Sequence, residues 1–208
     1  MTEAILHGVI LAFGLIIPLG VQNVFIFNQG AVQPTLLRAL PVVITASICD
    51  TLLILLAVLG VSILLLTVSW IKMILFSLGF LFLLYMGWNI WNSQPSKEES
   101  SDIKRFSVKK QILFAASVSL LNPHAILDTI GVIGTNSMAY SGEEKWAFTS
   151  ATIAVSWAWF FGLAIAGKSI GKLDQDGALM RRINKVSALI IWGIAVYIGW
   201  TVFGLSLY

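Results

Sequence analysis

The chain has 208 residues, 58% of them hydrophobic and 11% charged, with a mean hydropathy of +0.89 and a formal net charge of +3. Soluble domains carry about 25% charged residues, so this composition excludes a water-soluble globular enzyme and a nucleic-acid-binding protein, and it makes lipid the main solvent. A single cysteine, Cys49, excludes an intramolecular disulfide and any relay of paired thiols.

A membrane-crossing helix needs ~20 mainly apolar residues, and six such runs are predicted, at 4–27, 39–66, 69–92, 111–135, 146–167 and 186–206. The start, Met1-Thr2-Glu3-Ala4, lacks the basic stretch and small-residue cleavage site of a secretory signal, so the first run reads as a retained helix. Within that run Pro18-Leu-Gly-Val-Gln22-Asn23 sets a proline and two amides in apolar surroundings. The second run carries Asp50 about nine residues past Pro41, roughly 14 Å into the membrane at ~1.5 Å per residue. After the third run a charged stretch, Ser96 to Arg105, separates three predicted helices from three more. The fourth run contains Asn122-Pro123-His124-Ala-Ile-Leu-Asp128, with His124 one turn before Asp128 on the same helix face. Trp157 and Trp159 lie in the middle of the fifth run, where core packing and a cation–π face are both open to them. Between the fifth and sixth runs, 168–185 is polar and, like 93–110, too short for a core of its own.

Of the 13 basic residues, 11 (Arg38, Lys97, Lys104, Arg105, Lys109, Lys110, Lys168, Lys172, Arg181, Arg182 and Lys185) fall on one side of a six-helix arrangement, with Lys72 and Lys145 opposite. The positive-inside rule then places the loops between runs 1 and 2, 3 and 4, and 5 and 6 in the cytoplasm and both termini outside. Trp70, Trp88, Trp91 and Trp146 sit near predicted helix ends, as an interfacial aromatic belt requires.

Three helices in each half is an odd number, so the halves insert with opposite orientations. The expected fold is all-α integral membrane, six transmembrane helices as two inverted three-helix repeats, with residues 1–92 and 111–208 as the repeats and 93–110 as the charged linker. Transporters built this way bind cargo near the midplane, at helices broken by Pro or Gly. Both opening helices carry a proline followed five residues later by a polar side chain: Pro18 with Asn23, and Pro123 with Asp128. A proline frees a backbone carbonyl, which in lipid must find a neighbour or a water-lined cavity. The helix restarting beyond each break aims a positive dipole end into the membrane, a seat for a carboxylate.

Asp50 and Asp128 are the only acidic residues deep within the predicted spans, and no lysine or arginine lies deep enough to pair with them. An ionisable group at that depth costs at least ~2.5 kcal/mol and marks a pathway or a site. The missing positive charge is open to supply by a cargo or by protons. A cationic amino acid would offer its carboxylate to a helix N-terminus and its cationic groups to Asp50 and Asp128. Gln22, Asn23, Asn122 and His124 complete the candidate binding set, and Pro18 and Pro123 are the helix breaks. No cofactor is expected, and no His, Cys and carboxylate cluster at metal-ligand spacing is present in the sequence. Glycine-rich faces such as Gly167-x-x-x-Gly171 permit close helix contact and self-association.

The stretches Gly20-Val-Gln-Asn-Val-Phe-Ile-Phe-Asn-Gln-Gly30, Ile48-Cys-Asp-Thr-Leu-Leu53 and Leu121-Asn-Pro-His-Ala-Ile-Leu-Asp-Thr-Ile-Gly131 resemble the lysine and arginine exporter (LysE) family of bacterial membrane transporters. The resemblance implies proton-motive-force-driven efflux of basic amino acids across the cytoplasmic membrane, with Asp50, Asp128, Asn23 and Pro123 matching positions taken as functional in the family. The family commonly has Gly-Pro-Gln-Asn in the first helix where this chain has Gly20-Val21-Gln22-Asn23, so its break lies nearer the N-terminus, at Pro18. Competing readings are export of a neutral amino acid or another small metabolite, with one aspartate carrying only protons, an intramembrane enzyme using the His124 and Asp128 pair, and a purely structural membrane protein.

Overall fold

A computed structural model of the chain describes residues 1–17, 20–60, 69–92, 106–122, 125–126, 128–174 and 177–204, and omits the side chains of 69, 71, 72, 75, 128 and 201–204. The described residues are helical: α1 Thr2–Ile16, α2 Val21–Val32, α3 Leu36–Val58, α4 Ser69–Trp91, α5 Val108–Leu120, a π-helical segment Asp128–Ile133 running into the short α6 Gly134–Ser137, α7 Gly142–Leu173 and α8 Ala178–Gly204. Among them, three stretches, Leu36–Val58, Gly142–Leu173 and Ala178–Trp200, are long and apolar enough to cross a membrane, and α1 with α2 forms a fourth as a bent pair. Their outward faces are apolar, with Leu52, Ile165, Val196 and Trp200 exposed, as the lipid-facing side of an integral membrane protein must be. Trp70, Trp88 and Trp146, expected at the lipid boundary, are exposed as well.

The predicted first and fourth runs are each interrupted. Helix α1 stops at Ile16 and α2 starts at Val21, and α5 stops at Leu120 before the π-helical segment. Each interrupted run is braced by a continuous helix. Helices α1 and α2 both pack on α7, in the same chain direction, from Gly8 against Phe148 at one end to Ala31 against Gly171 at the other. Helix α5 and the π-helical segment lie along α3, also parallel: the Gln111 amide reaches the Arg38 carbonyl at one end, and Gly134 meets Ala57 at the other. Helices α4 and α8 pair with each other and join the rest through Val21, Val24 and Val118.

The second predicted run starts earlier than expected, because α3 begins at Leu36 and carries Pro41 in its second turn; its predicted end, 61–66, lies outside the described residues. Helix α7 outruns its prediction at both ends. The expected polar connection after 167 begins only at Asp174, because Gly167 and Gly171 let the α7 backbone close on Phe27 and Ala31 while Lys168 Nζ donates to the Gln33 carbonyl at 2.6 Å. At that same end two buried glutamines tie the elements together. Gln33 Nε2 donates to Gln29 Oε1 at 3.0 Å and to the Phe106 carbonyl at 3.2 Å. Gln111 Nε2 donates to the Arg38 and Phe106 carbonyls, both at 3.0 Å.

A Cβ added at Gly171 would stand 2.6 Å from the Ala31 carbonyl oxygen, whereas one at Gly162 meets nothing within 4 Å. Overpacking against backbone costs ~1–3 kcal/mol. Thermal denaturation of the purified protein in detergent is therefore expected to show a clear fall in midpoint for Gly171→Leu and little change for Gly162→Ala.

Candidate functional site

Two apolar clusters fill opposite ends of the body formed by α1, α2, α3, α5 and α7. One holds Phe25, Val42, Val43, Ala115 and Phe160, with Phe106 and Phe114 against it. The other joins Ala4, Ile54, Val58, Ile133 and Phe148, beside the His7 ring, whose Nδ1 lies 2.8 Å from the Tyr140 hydroxyl. Between them, where both interrupted runs break, lies a cavity of about 180 Å³. Pockets for drug-sized ligands start at ~300 Å³, so this one suits a smaller molecule. Its polar wall consists of Gln22, Asn23, Asp50, Asn122, Thr129 and Ser156, and its apolar wall includes Leu15, Ile16, Phe160, Ile190 and Ile194. Among the described residues no lysine or arginine lines it.

The first break supplies donors. Gly20 is the N-cap of α2 and has no side-chain cap. Its carbonyl accepts from the Val24 amide at 3.1 Å, so the amides of Val21, Gln22 and Asn23 precede the first intrahelical bond. Gln22 Nε2 is buried without a hydrogen-bond partner among the described residues. Asn23 behaves differently: its Nδ2 donates to the Ile16 carbonyl at 2.7 Å, closing the end of α1 from the start of α2. An amide expected to meet a ligand thus has its donor engaged in holding the break.

Asp50 reaches the cavity from α3, and Ser156 of α7 lines the same cavity close to its carboxyl group. Directly adjacent, Trp157 Nε1 donates to Thr51 Oγ1 at 3.0 Å. Trp157 is therefore hydrogen-bonded and stacked on Phe161, and Trp159 packs edge-on against Phe13, so both serve packing. The second break contributes Asn122 and Thr129, the latter from the π-helical segment that starts at Asp128. Such segments are frequent at functional sites. Pro18, Pro123 and His124 lie outside the described residues, as does the Asp128 side chain. The cavity thus gathers four sequence-level candidates, Gln22, Asn23, Asp50 and Asn122. Thr129 and Ser156 escaped the sequence reading because hydroxyls in apolar helices usually return to their own backbone. Their one available signal was spacing, since Ser156 follows Asp50 by the same 106 positions that separate Asn23 from Thr129.

A leucine at position 23 keeps the volume but leaves the Ile16 carbonyl without its donor, at a cost of ~1–3 kcal/mol for a buried group. Asn23→Leu is expected to lower stability in a detergent denaturation series clearly more than Gln22→Leu, which removes an amide nitrogen that holds nothing together among the described residues.

Residues 13–201 match the family model described as LysE type translocator. The chain is 58% identical, over 97% of its length and 91% of the relative's, to a Bacillus subtilis (strain 168) protein named "Putative amino-acid transporter YisU". It is 31% identical to the arginine exporter protein ArgO of Pectobacterium atrosepticum, over 96% of this chain and all (100%) of that one. ArgO of Escherichia coli (strain K12) is likewise 31% identical, over 91% of this chain and 90% of its own length. No solved structure matches the chain. Two interrupted helices enclosing a polar cavity, in a chain whose sequence matches this family model across nearly its whole length, make it a member of the LysE type translocator family.

Proposed function

We propose that this protein exports cationic amino acids, arginine or lysine, across the bacterial cytoplasmic membrane. The observation that carries the reading is the cavity itself, in which an aspartate from a membrane-spanning helix faces hydrogen-bond donors at the start of α2, with no basic side chain among the described lining residues. In low dielectric an anion needs a partner, and a cationic amino acid provides one. Its α-carboxylate meets the Gln22 amide and the α2 N-terminus, its cationic groups meet Asp50 and Asp128, and its aliphatic stem lies along Phe160, Ile190 and Ile194. The similarity to two arginine exporter proteins supports the same substrate class.

The transport cycle we assign is alternating access between two inverted three-helix repeats, with both termini outside and protons competing for the carboxylates on the outer side to drive release. What supports it is the reciprocal packing: the interrupted helix of each half runs parallel to the continuous second helix of the other half, α1–α2 along α7 and α5 with the π-helical segment along α3.

Efflux of labelled arginine and lysine from preloaded proteoliposomes tests this directly. Asp50→Asn and Asp128→Asn, at equal protein content, are each expected to lower efflux by more than about tenfold, the scale of one lost charged contact. Wild type that carries neutral amino acids but neither arginine nor lysine, or full activity in both variants, would overturn the reading in favour of a neutral-metabolite exporter.

A further inference from the structure

Helix α7 carries several hydroxyls, and most turn back on their own helix. Thr149 donates to the Lys145 carbonyl at 2.7 Å, Thr152 to the Phe148 carbonyl at 2.8 Å, and Ser169 to the Ile165 carbonyl at 3.0 Å. Ser156 is the exception: it is 4% exposed and lines the cavity together with Asp50 of α3, its hydroxyl close to the Asp50 carboxyl group. The neighbouring positions repeat the crossing, with Trp157 Nε1 donating to Thr51 Oγ1 at 3.0 Å.

An aspartate carboxyl rotates in a broad torsional well and has about four acceptor sites. One hydroxyl held by a neighbouring helix fixes its plane and leaves acceptor sites free for a ligand. The spacing gives this arrangement a structural logic. Asp50 and Ser156 are 106 positions apart, as are Thr51 and Trp157. In a two-fold arrangement, residues at the axis touch their own counterparts, so Ser156 stands in the second half where Asp50 stands in the first.

From this geometry we infer that Ser156 is a positioning residue: its hydroxyl orients the Asp50 carboxylate into the cavity and so sets how tightly a cationic group of the cargo is held. The inference rests on the proposed role of Asp50 as a cation-binding group. Ser156→Ala removes only the hydroxyl, and Ser156→Thr keeps it, with cavity space beside it for the added methyl.

In proteoliposomes loaded with graded arginine concentrations, Ser156→Ala is expected to raise the half-saturating concentration about tenfold with a maximal rate within about twofold of wild type, and Ser156→Thr to recover most of the affinity. A second reading needs no cargo: the infrared carboxyl band identified by its loss in Asp50→Asn is expected to shift in Ser156→Ala and to stay near its wild-type position in Ser156→Thr. An unmoved band, or an unchanged half-saturating concentration in Ser156→Ala, overturns the role of Ser156. A shifted band in a protein whose wild type carries neither arginine nor lysine overturns the cationic cargo instead, and with it the part of Ser156 in affinity, while the bond to Asp50 stands.

Discussion

Inside a bilayer, a backbone carbonyl that loses its helical partner has no water to turn to, and the architecture of this protein follows from how two such interruptions are accommodated. Asn23 closes the first by reaching back to the Ile16 carbonyl. The second passes into a π-helical segment whose carbonyls accept from side chains of the following α6, Val132 from Asn136 at 2.8 Å and Gly131 from Thr135. An interrupted helix cannot keep its own axis, so each is laid along an unbroken one, α7 in one case and α3 in the other.

Close laying requires small residues. The α2 and α7 backbones approach at Gly30, Gly167 and Gly171, where a Cβ would collide with the facing main chain. The same approach brings Lys168 onto the Gln33 carbonyl and carries α7 past the point where its apolar run ends. The buried amides of Gln33 and Gln111 then occupy the carbonyls of Phe106 and Arg38, so that polar groups left over at the helix ends find partners within the protein. Packing and polar satisfaction thus reinforce each other at the end of the molecule that carries Arg38 and Lys168.

The cavity is what remains where the two breaks face each other. Its wall combines polar groups from the breaks and the continuous helices, Gln22, Asn23, Asn122, Asp50 and Ser156, with apolar side chains such as Ile16 of α1 and Ile190 and Ile194 of α8. This combination suits a ligand with charged ends and a hydrocarbon middle, which is the chemistry the proposed cargo brings. Asp50 of α3 and Ser156 of α7 line the cavity together, so both of the continuous helices that brace the breaks contribute to its polar wall.

Much of this was readable in one dimension. Lipid penalises polarity at each residue locally, so the six apolar runs, the prolines within three of them and the aspartates within two stood out without any knowledge of contacts, and the stretches around Asn23, Asp50 and Asn122 pointed to the family of this chain. Partnership did not stand out. Nothing local says that the Asn23 amide closes a helix end, that α7 runs on to Leu173, or that Ser156 comes to stand beside Asp50. Those outcomes depend on helix rotation and on the register between helices far apart in the chain, where a shift of one residue turns a side chain by about 100°. Composition and motif determined that the chain lives in lipid and breaks two of its helices there; only tertiary packing decided which side chains meet at the breaks, because in a uniformly apolar solvent direction is set by close contact between helices rather than by the hydrophobic pattern of any one of them.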